Sequence, residues 1–359
     1  MQSPSVLSNT GSLSGRSVTL KQILRHPKSL LELLPPSLAN PYKQMLFRRG
    51  FKLHSIPPSS LAIPEPYQSS LTTEQLPSIA IVTPSYNQGN FIERTIQSVL
   101  NQEYPRLEYI VQDGASNDES VSVIKRYEDR LAFWESKPDG GQSAAINLGL
   151  KRSNAEILAY LNSDDALLPG ALHYVAEFFH KHPEVDVVYG NRILIDEHDR
   201  IGNYWVLPPF DSQIIKWFDF IPQETMFWRR RAWDAVGSCI DEKFNFAMDW
   251  DLILRFVAAK MNICGLPRFL GAFRVTETQK TSCLWESVGK REAQGLRERE
   301  LGVSPTDREI QNSIRAYLNE QTRVERLFNL RSWISKGFGR RANESCFLSY
   351  ESPLTSKCL

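Results

Sequence analysis

Several features are missing from this chain, and each absence excludes a class of function. No run of about 18 apolar residues occurs, so no stretch reads as a membrane-spanning helix, and the N-terminus lacks the apolar core of a signal peptide. The five cysteines (Cys239, Cys264, Cys283, Cys346 and Cys358) are odd in number and form no CxxC pair. That spacing argues against a disulfide framework or a zinc site and suits a reducing cytosol. The six histidines, among them His173, His180 and His182, show no ligand spacing. Charge of one sign is lacking too: 42 Lys and Arg face 41 Asp and Glu, net +1, so there is no global electrostatic case for nucleic acid. Neither a Gly-rich phosphate loop nor GxGxxG follows the first strand, which disfavours an NTPase, a nucleotidyltransferase or a dinucleotide enzyme. The expected location is cytoplasmic, with peripheral contact at the inner face of a membrane as its variant.

What is present is ordinary globular material, 42% hydrophobic and 23% charged over 359 residues, enough for one large domain or two smaller ones. Residues 1–76 read as an appendage. Met1 to Ser17 is rich in Ser, Gly and Asn and reads as disordered. Lys43, Arg48, Arg49 and Lys52 form a small basic cluster, and a linker with Pro57, Pro58, Pro64 and Pro66 follows. Order is expected from Pro77. Strands are predicted at 79–82, 107–112, 131–135 and 157–161, with helices at 91–102, 119–126 and 143–151 between them. Strand and helix alternate at a spacing of about 25 residues, which predicts an α/β fold with a mixed, mostly parallel sheet flanked by helices.

The stretch that organises the chain is Glu156-Ile-Leu-Ala-Tyr-Leu-Asn-Ser-Asp-Asp165. A short buried strand ends there in two adjacent carboxylates. Such neighbours repel one another unless a cation sits between them and an anionic ligand. In open α/β sheets the C-terminal edge of the strands is also where ligands bind. Asp164 and Asp165 therefore read as a Mg²⁺ or Mn²⁺ site for a nucleotide diphosphate; the competing reading is a solvated turn that caps the next helix. Tyr86, Asp113 and Asp139 follow other strands and should reach the same edge. Tyr86 offers a stacking face for a base and Asp113 an acceptor for its N–H. Gly140-Gly141 allows close backbone approach to phosphate, with Gln142 beside it. Each also has a plain structural reading as a core residue, an Asx-turn or a tight turn.

After a helix at 171–180 the pattern changes. A strand at 185–189, a hairpin over 193–205, an aromatic stretch from Trp217 to Trp228 around Gln223, a helix opened by Phe246-Ala-Met-Asp-Trp-Asp251 and a strand at 263–274 are expected on the same sheet. Asp249 is read at or near the cap of that helix, where the helix N-terminus favours its ionised form, with Asp251 exposed beside it. It suits a general base facing the metal; the plain reading is a cap alone. Beyond Thr281 the chain reads as polar and helical. Leu327, Leu330, Ile334 and Phe338 form an apolar stripe, expected to pack on the domain rather than lie on a membrane.

Thr83-Pro-Ser-Tyr-Asn-Gln-Gly89, Glu108-Tyr-Ile-Val-Gln-Asp-Gly114, Asp139-Gly-Gly-Gln142, Ala145-Ile-Asn-Leu-Gly149, Leu161-Asn-Ser-Asp-Asp165 and Phe246-Ala-Met-Asp-Trp-Asp-Leu-Ile-Leu-Arg255, in this order, resemble glycosyltransferase family 2. The resemblance covers about 77–281. It implies a GT-A fold with a nucleotide-sugar half at 77–170 and an acceptor half at 171–281; the residues at 282–359 read as a helical extension beyond it. It also implies inverting transfer of one sugar from a UDP- or dTDP-sugar, assisted by Mg²⁺ or Mn²⁺, to a glycan or lipid-linked acceptor. By that resemblance Pro84, Tyr86, Asp113 and Asp164 contact the nucleotide, Asp165 holds the metal and Asp249 is the base; Gly141 and Gln142 join them as nucleotide-binding candidates. Gln223 and Trp250 are the acceptor candidates. Asn162 and Thr276 depart from the family pattern, which often has Asp and His there. No QxxRW-like motif is present, which speaks against a processive synthase. The rival from another class is a nucleotide-sugar-binding protein without catalysis.

Overall fold

The computed structural model describes Ser59–Ser60 and residues 67–276, 279–280 and 284–337. The Ser-rich N-terminus, the basic cluster, most of the Pro-rich linker and Phe338 lie outside the described residues.

The strands are β1 (Ser59–Ser60), β2 (Ile79–Ser85), β3 (Leu107–Asp113), β4 (Phe133–Ser136), β5 (Ile157–Tyr160), β6 (Ala166–Leu167), β7 (Val187–Ile195), β8 (Arg200–Trp205), β9 (Phe227–Arg229) and β10 (Ile263–Arg274). The helices are α1 (Ile92–Leu100), α2 (Ser120–Lys125), α3 (Gln142–Lys151), α4 (Ala171–Lys181), α5 (Arg230–Ala235), α6 (Met248–Ala258), α7 (Lys290–Leu301) and α8 (Asp307–Gly337). All described strands join one sheet, ordered β1-β8-β7-β9-β5-β2-β3-β4, with β10 paired to β7 and to β6. The first half is parallel: β2 pairs with β3 and β5, and β3 with β4. The second half reverses through the antiparallel β9, while β7 and β10 run parallel to each other. The predicted α/β sheet flanked by helices is thus observed, with both halves built on it.

The apolar run Ile79-Ala80-Ile81-Val82 is buried throughout, as a central parallel strand covered on both faces requires. Gly149 explains how closely α3 covers it: a Cβ there would lie 2.5 Å from Val82 Cγ1. Pro84 has a different consequence. The Val82 carbonyl accepts from Leu161 N–H at 2.9 Å, and the Ser85 carbonyl accepts from Gly114 N–H at 2.8 Å. By alternation the backbone of Pro84 faces β5, yet proline has no N–H to offer. Pairing of β2 with β5 ends at Val82–Tyr160, whereas pairing with β3 continues to Ser85–Asp113. The sheet therefore parts between β2 and β5 at its C-terminal edge, beside Asn162 to Asp165.

Four expectations need correction. The chain is tied to the domain before Pro77: Ser70 donates its N–H and hydroxyl to Glu177, and Tyr67 packs edge-on against Tyr174. The strand at 185–189 and the first arm of the hairpin are one strand, β7 (Val187–Ile195), which runs on through Gly190 and Asn191. The apolar stripe of α8 is mis-phased. The buried side chains are Ile314, Tyr317, Val324 and Phe328, with Phe328 against Tyr204 and Phe269, while Leu327 and Leu330 are exposed. Of the cysteines, Cys239 is free and exposed, but Cys264 is disulfide-bonded, so the reading of the cysteine spacing against disulfides fails at that position. Among the described residues no helix is long and apolar enough to cross a membrane.

Candidate functional site

The C-terminal ends of β2, β3, β4 and β5 carry the predicted nucleotide residues. Tyr86 leaves β2 and is 63% exposed, a large aromatic face presented to solvent. A Cβ on Gly114 would lie 3.3 Å from Asp139 Oδ2 and 3.4 Å from Tyr86 Cδ2, so Tyr86, Gly114 and Asp139 meet at one spot. Asp113 lies beneath them and is buried. Its carboxylate accepts from Ser116 N–H (2.9 Å), Ser116 Oγ (2.6 Å) and Ser136 Oγ (2.6 Å). Three of its roughly four acceptor positions are therefore used within the chain. The Asx-type bond weighed from the sequence is present. Gly141 takes φ +98° at the start of α3, a conformation costly for any residue with a Cβ, and donates its N–H to Asp139 at 2.8 Å.

At the end of β5, Asp164 is half-buried and Asp165 buried. Asp165 Oδ1 accepts from Arg274 N–H at 3.0 Å, while Asn162 Nδ2 lies 3.4 Å from Oδ2. Burial, then the charges of Asp164 and Glu224, push the Asp165 carboxyl well up; burial raises Asp164 as well. The loop itself is clamped from several sides. Thr95 Oγ1 bridges the carbonyls of Ser163 and Asp165, and Arg274 Nε donates to the Asp164 carbonyl at 2.8 Å. Arg274 also reaches the turn of the β7–β8 hairpin through the Asp196 carbonyl and Asp199.

Asp249 lies in the first turn of α6, one residue past Met248, with Ala247 as the cap. It is half-buried and accepts from Trp250 N–H at 2.9 Å. Burial raises its carboxyl above the ordinary range, opposed by backbone N–H groups and by the charges of Lys280 and Arg192. Tyr160, at the end of β5, is the common neighbour. Its buried hydroxyl has no partner among the described residues, and it is raised by burial and then by the charges of Asp249, Asp219, Asp165 and Glu224. The carboxylates of both halves thus act on one side chain.

Not every candidate points into this site. Trp250 is turned into the core, its Nε1 donating to the Ile215 carbonyl at 2.7 Å under the Arg297 guanidinium. Gln223 is buried and spends both ends internally, donating to the Tyr160 carbonyl and accepting from Asn162. Both acceptor candidates are thus buried and hydrogen-bonded within the domain. Asp251 is buried too, contrary to expectation, because Arg255 and Arg299 both pair with it. Sequence reasoning missed four groups here: Lys280, Asp219, and the bidentate pair Arg192–Glu224 (2.8 and 2.6 Å). Nothing in local spacing marks a charge that becomes buried through contacts made far along the chain.

Among the described residues no three His, Cys, Asp or Glu side chains gather into a metal cage. The donor set at Asp164 and Asp165 still suits Mg²⁺ or Mn²⁺, which such sites hold with one or two carboxylates and complete with phosphate oxygens. Burial raises both carboxyls, with the charges of Asp164 and Glu224 adding to it at Asp165, and a divalent cation would offset that cost.

Comparison with known proteins agrees with this picture. Structurally, S. aureus TarS residues 1–349 in complex with UDP-GlcNAc matches at TM-score 0.51 and 18% identity, over 67% of this chain and 72% of that one, which gives the GT-A fold. The sheet and helices are those of the GT-A fold. By sequence, the family described as "Glycosyl transferase family 2" matches residues 80–237. An uncharacterized glycosyltransferase of Mycobacterium tuberculosis is 29% identical over 50% of this chain and 68% of its own length. The chondroitin synthase of Pasteurella multocida is also 29% identical, but the match spans only 19% of that protein. Residues 80–237 thus form a glycosyltransferase family 2 domain, and the protein is a glycosyltransferase.

Proposed function

We propose that the enzyme moves one sugar from a nucleotide-diphosphate sugar, UDP- or dTDP-linked, to a hydroxyl of a glycan or lipid-linked acceptor, with inversion at the anomeric carbon. The observation that carries this reading is Tyr160, which feels Asp165 from the donor half and Asp249 from the acceptor half. The opening between β2 and β5 beside Pro84 admits the donor. Tyr86 stacks on the base over Gly114, and Asp113 accepts a base N–H at its remaining lone pair. Gly141 and Gln142 approach the diphosphate, aided by the start of α3. Asp164 and Asp165 hold the divalent cation, Asp164 also facing the ribose. When bound, the cation supplies Lewis-acid stabilisation to the departing diphosphate.

Asp249 removes the proton of the acceptor hydroxyl as that oxygen attacks the anomeric carbon, opposite the leaving diphosphate. A carboxyl raised by burial is a better base near neutral pH than an exposed aspartate. The same elevation predicts an acid limb in the rate profile above the ordinary aspartate range, with activity lost as pH falls through it.

Thermal-shift screening against UDP-, dTDP- and GDP-sugars tests the donor reading. A matching donor with Mn²⁺ at a hundredfold excess over its dissociation constant stabilises the protein by about 2.7 kcal/mol, and EDTA removes the effect. Asp249→Asn keeps that stabilisation and loses transfer by about 10²–10⁴-fold. Full transfer by Asp249→Asn, or stabilisation indifferent to EDTA, refutes the corresponding part.

A further inference from the structure

The last residues of β2, β3 and β4 form a row. Ser85 pairs in register with Asp113, and Asp113 with Ser136. Register partners on neighbouring parallel strands lie about 4.8 Å apart and project to the same face. The Asp113 carboxyl therefore stands between two serine hydroxyls at the rim of the sheet. The two hydroxyls are used differently. Ser136 Oγ donates to Asp113 Oδ2 at 2.6 Å. Ser85 Oγ is buried and has no hydrogen-bond partner among the described residues. A buried hydroxyl left unpaired costs stability, and this one sits next to Tyr86, at the edge where a base would stack.

The two oxygens of Asp113 are just as unequal. Oδ2 takes two donors, Ser116 N–H and Ser136 Oγ, whereas Oδ1 takes one, Ser116 Oγ. Ser116 Oγ in turn accepts from Asn87 N–H at 2.8 Å, so it is held from both loops. The Asp113 carbonyl accepts from Lys137 N–H at 2.9 Å, which keeps the end of β4, and with it Ser136, against β3. With about two acceptor positions per carboxylate oxygen, Oδ2 is full and Oδ1 keeps one. The row thus has one acceptor left, on Oδ1, and one unused hydroxyl, on Ser85.

We infer that Ser136 is a specificity-determining residue for the nucleobase: by filling Oδ2 it limits Asp113 to a single N–H, which suits uracil or thymine and rejects guanine. This rests on Asp113 as the base contact proposed above. Uracil and thymine carry one ring N–H between two carbonyls, so Asp113 accepts the N–H while Ser85 donates to a neighbouring carbonyl. Guanine presents a ring N–H beside an amino group, and that edge calls for both oxygens of a carboxylate. With Oδ2 filled, the guanine amino group finds no acceptor, and a polar group left unpaired in a closed site is what makes such sites selective.

The test compares UDP with GDP on the full chain, each with Mn²⁺, by isothermal titration calorimetry. The two nucleotides share ribose, diphosphate and metal, so the ratio of their affinities reports the base. The native protein should bind UDP at least about tenfold more tightly than GDP. Ser136→Ala opens a position on Oδ2, so GDP should gain and the ratio should fall by about tenfold. Ser136→Thr, which keeps the hydroxyl, should hold the native ratio. A residue that merely braces the rim would weaken both nucleotides together and leave the ratio unmoved. Thermal unfolding identifies any variant that fails to fold, and Ser136→Gly replaces Ser136→Ala if that one does. A native protein without preference for UDP, an unchanged ratio in the folded hydroxyl-free variant, or a ratio that falls only because UDP weakens overturns the inference. The base reading fails differently: folded Asp113→Asn would then bind UDP with native affinity, whatever Ser136 does.

Discussion

The ion pair Arg192–Glu224 offers the sharpest test of how this site is held together. The Glu224 side chain is 0% exposed and that of Arg192 12%, and two hydrogen bonds of 2.8 and 2.6 Å join them. The guanidinium also lies 4.9 Å from the Trp205 ring and 4.6 Å from that of Phe273. Arg192→Met keeps much of the stem but leaves a sealed carboxylate with no partner charge, beside Asp165, which already feels it. Breaking one side of a buried pair costs about 3–5 kcal/mol, more than the few tenths expected of exposed pairs. For a domain of this size each kcal/mol moves the unfolding midpoint by about 2–4 °C, so the variant should melt roughly 6–20 °C lower. Replacing both partners removes the stranded charge, so Arg192→Met with Glu224→Met should recover most of the loss. Calorimetry on the native protein, the two single variants and the double variant closes the cycle. A single variant melting within about 2 °C of native, or a double variant no better than Arg192→Met, would refute the argument.

Three further outcomes follow from packing and charge. Gly149→Ala places a methyl 2.5 Å from Val82 Cγ1 and should cost about 1–3 kcal/mol by chemical denaturation, with Val82→Ala in the same chain restoring part of it. On α8, Phe328→Ala should destabilise by about 3–5 kcal/mol while Leu330→Ala stays within about 0.5 kcal/mol; equal effects would mean that the phase of the helix is wrong. Burial raises the Glu177 carboxyl, but bonds from Lys181, Ser70 N–H, Tyr67 and Ser69 outweigh it and hold it down at about 2. A depressed carboxyl stabilises the fold above its unfolded value and loses that contribution as pH falls towards 2, so Glu177→Gln should lower the melting temperature at pH 7 and flatten its decline in acid.

The donor half was legible because its signals are local. Each strand there is a short apolar run ending in Gly, Asp or Asn, and each helix has a clear apolar face, as in Ile92, Ile96 and Val99. Asp164, Asp165 and Asp249 could be picked out because carboxylates at strand and helix ends carry a recognisable chemical burden. The acceptor half was less legible. Trp250 and Asp251 sit side by side in one motif, and only tertiary contacts with Ile215, Arg255 and Arg299 show that both turn inward. The phase of α8 failed for a similar reason: leucines occur on two sides of that helix, and Tyr204, Phe220 and Phe269 decide which side is covered.

Pro84 sets by covalent chemistry where the seam between β2 and β5 ends. An amide at this position would offer a hydrogen to the neighbouring chain and invite the two strands to zip further towards the rim. With a pyrrolidine ring there, the seam stays unlaced whether or not anything occupies it. A guest arriving at that mouth has no strands to prise apart, and the entropy of shaping the entrance was already spent when the protein folded.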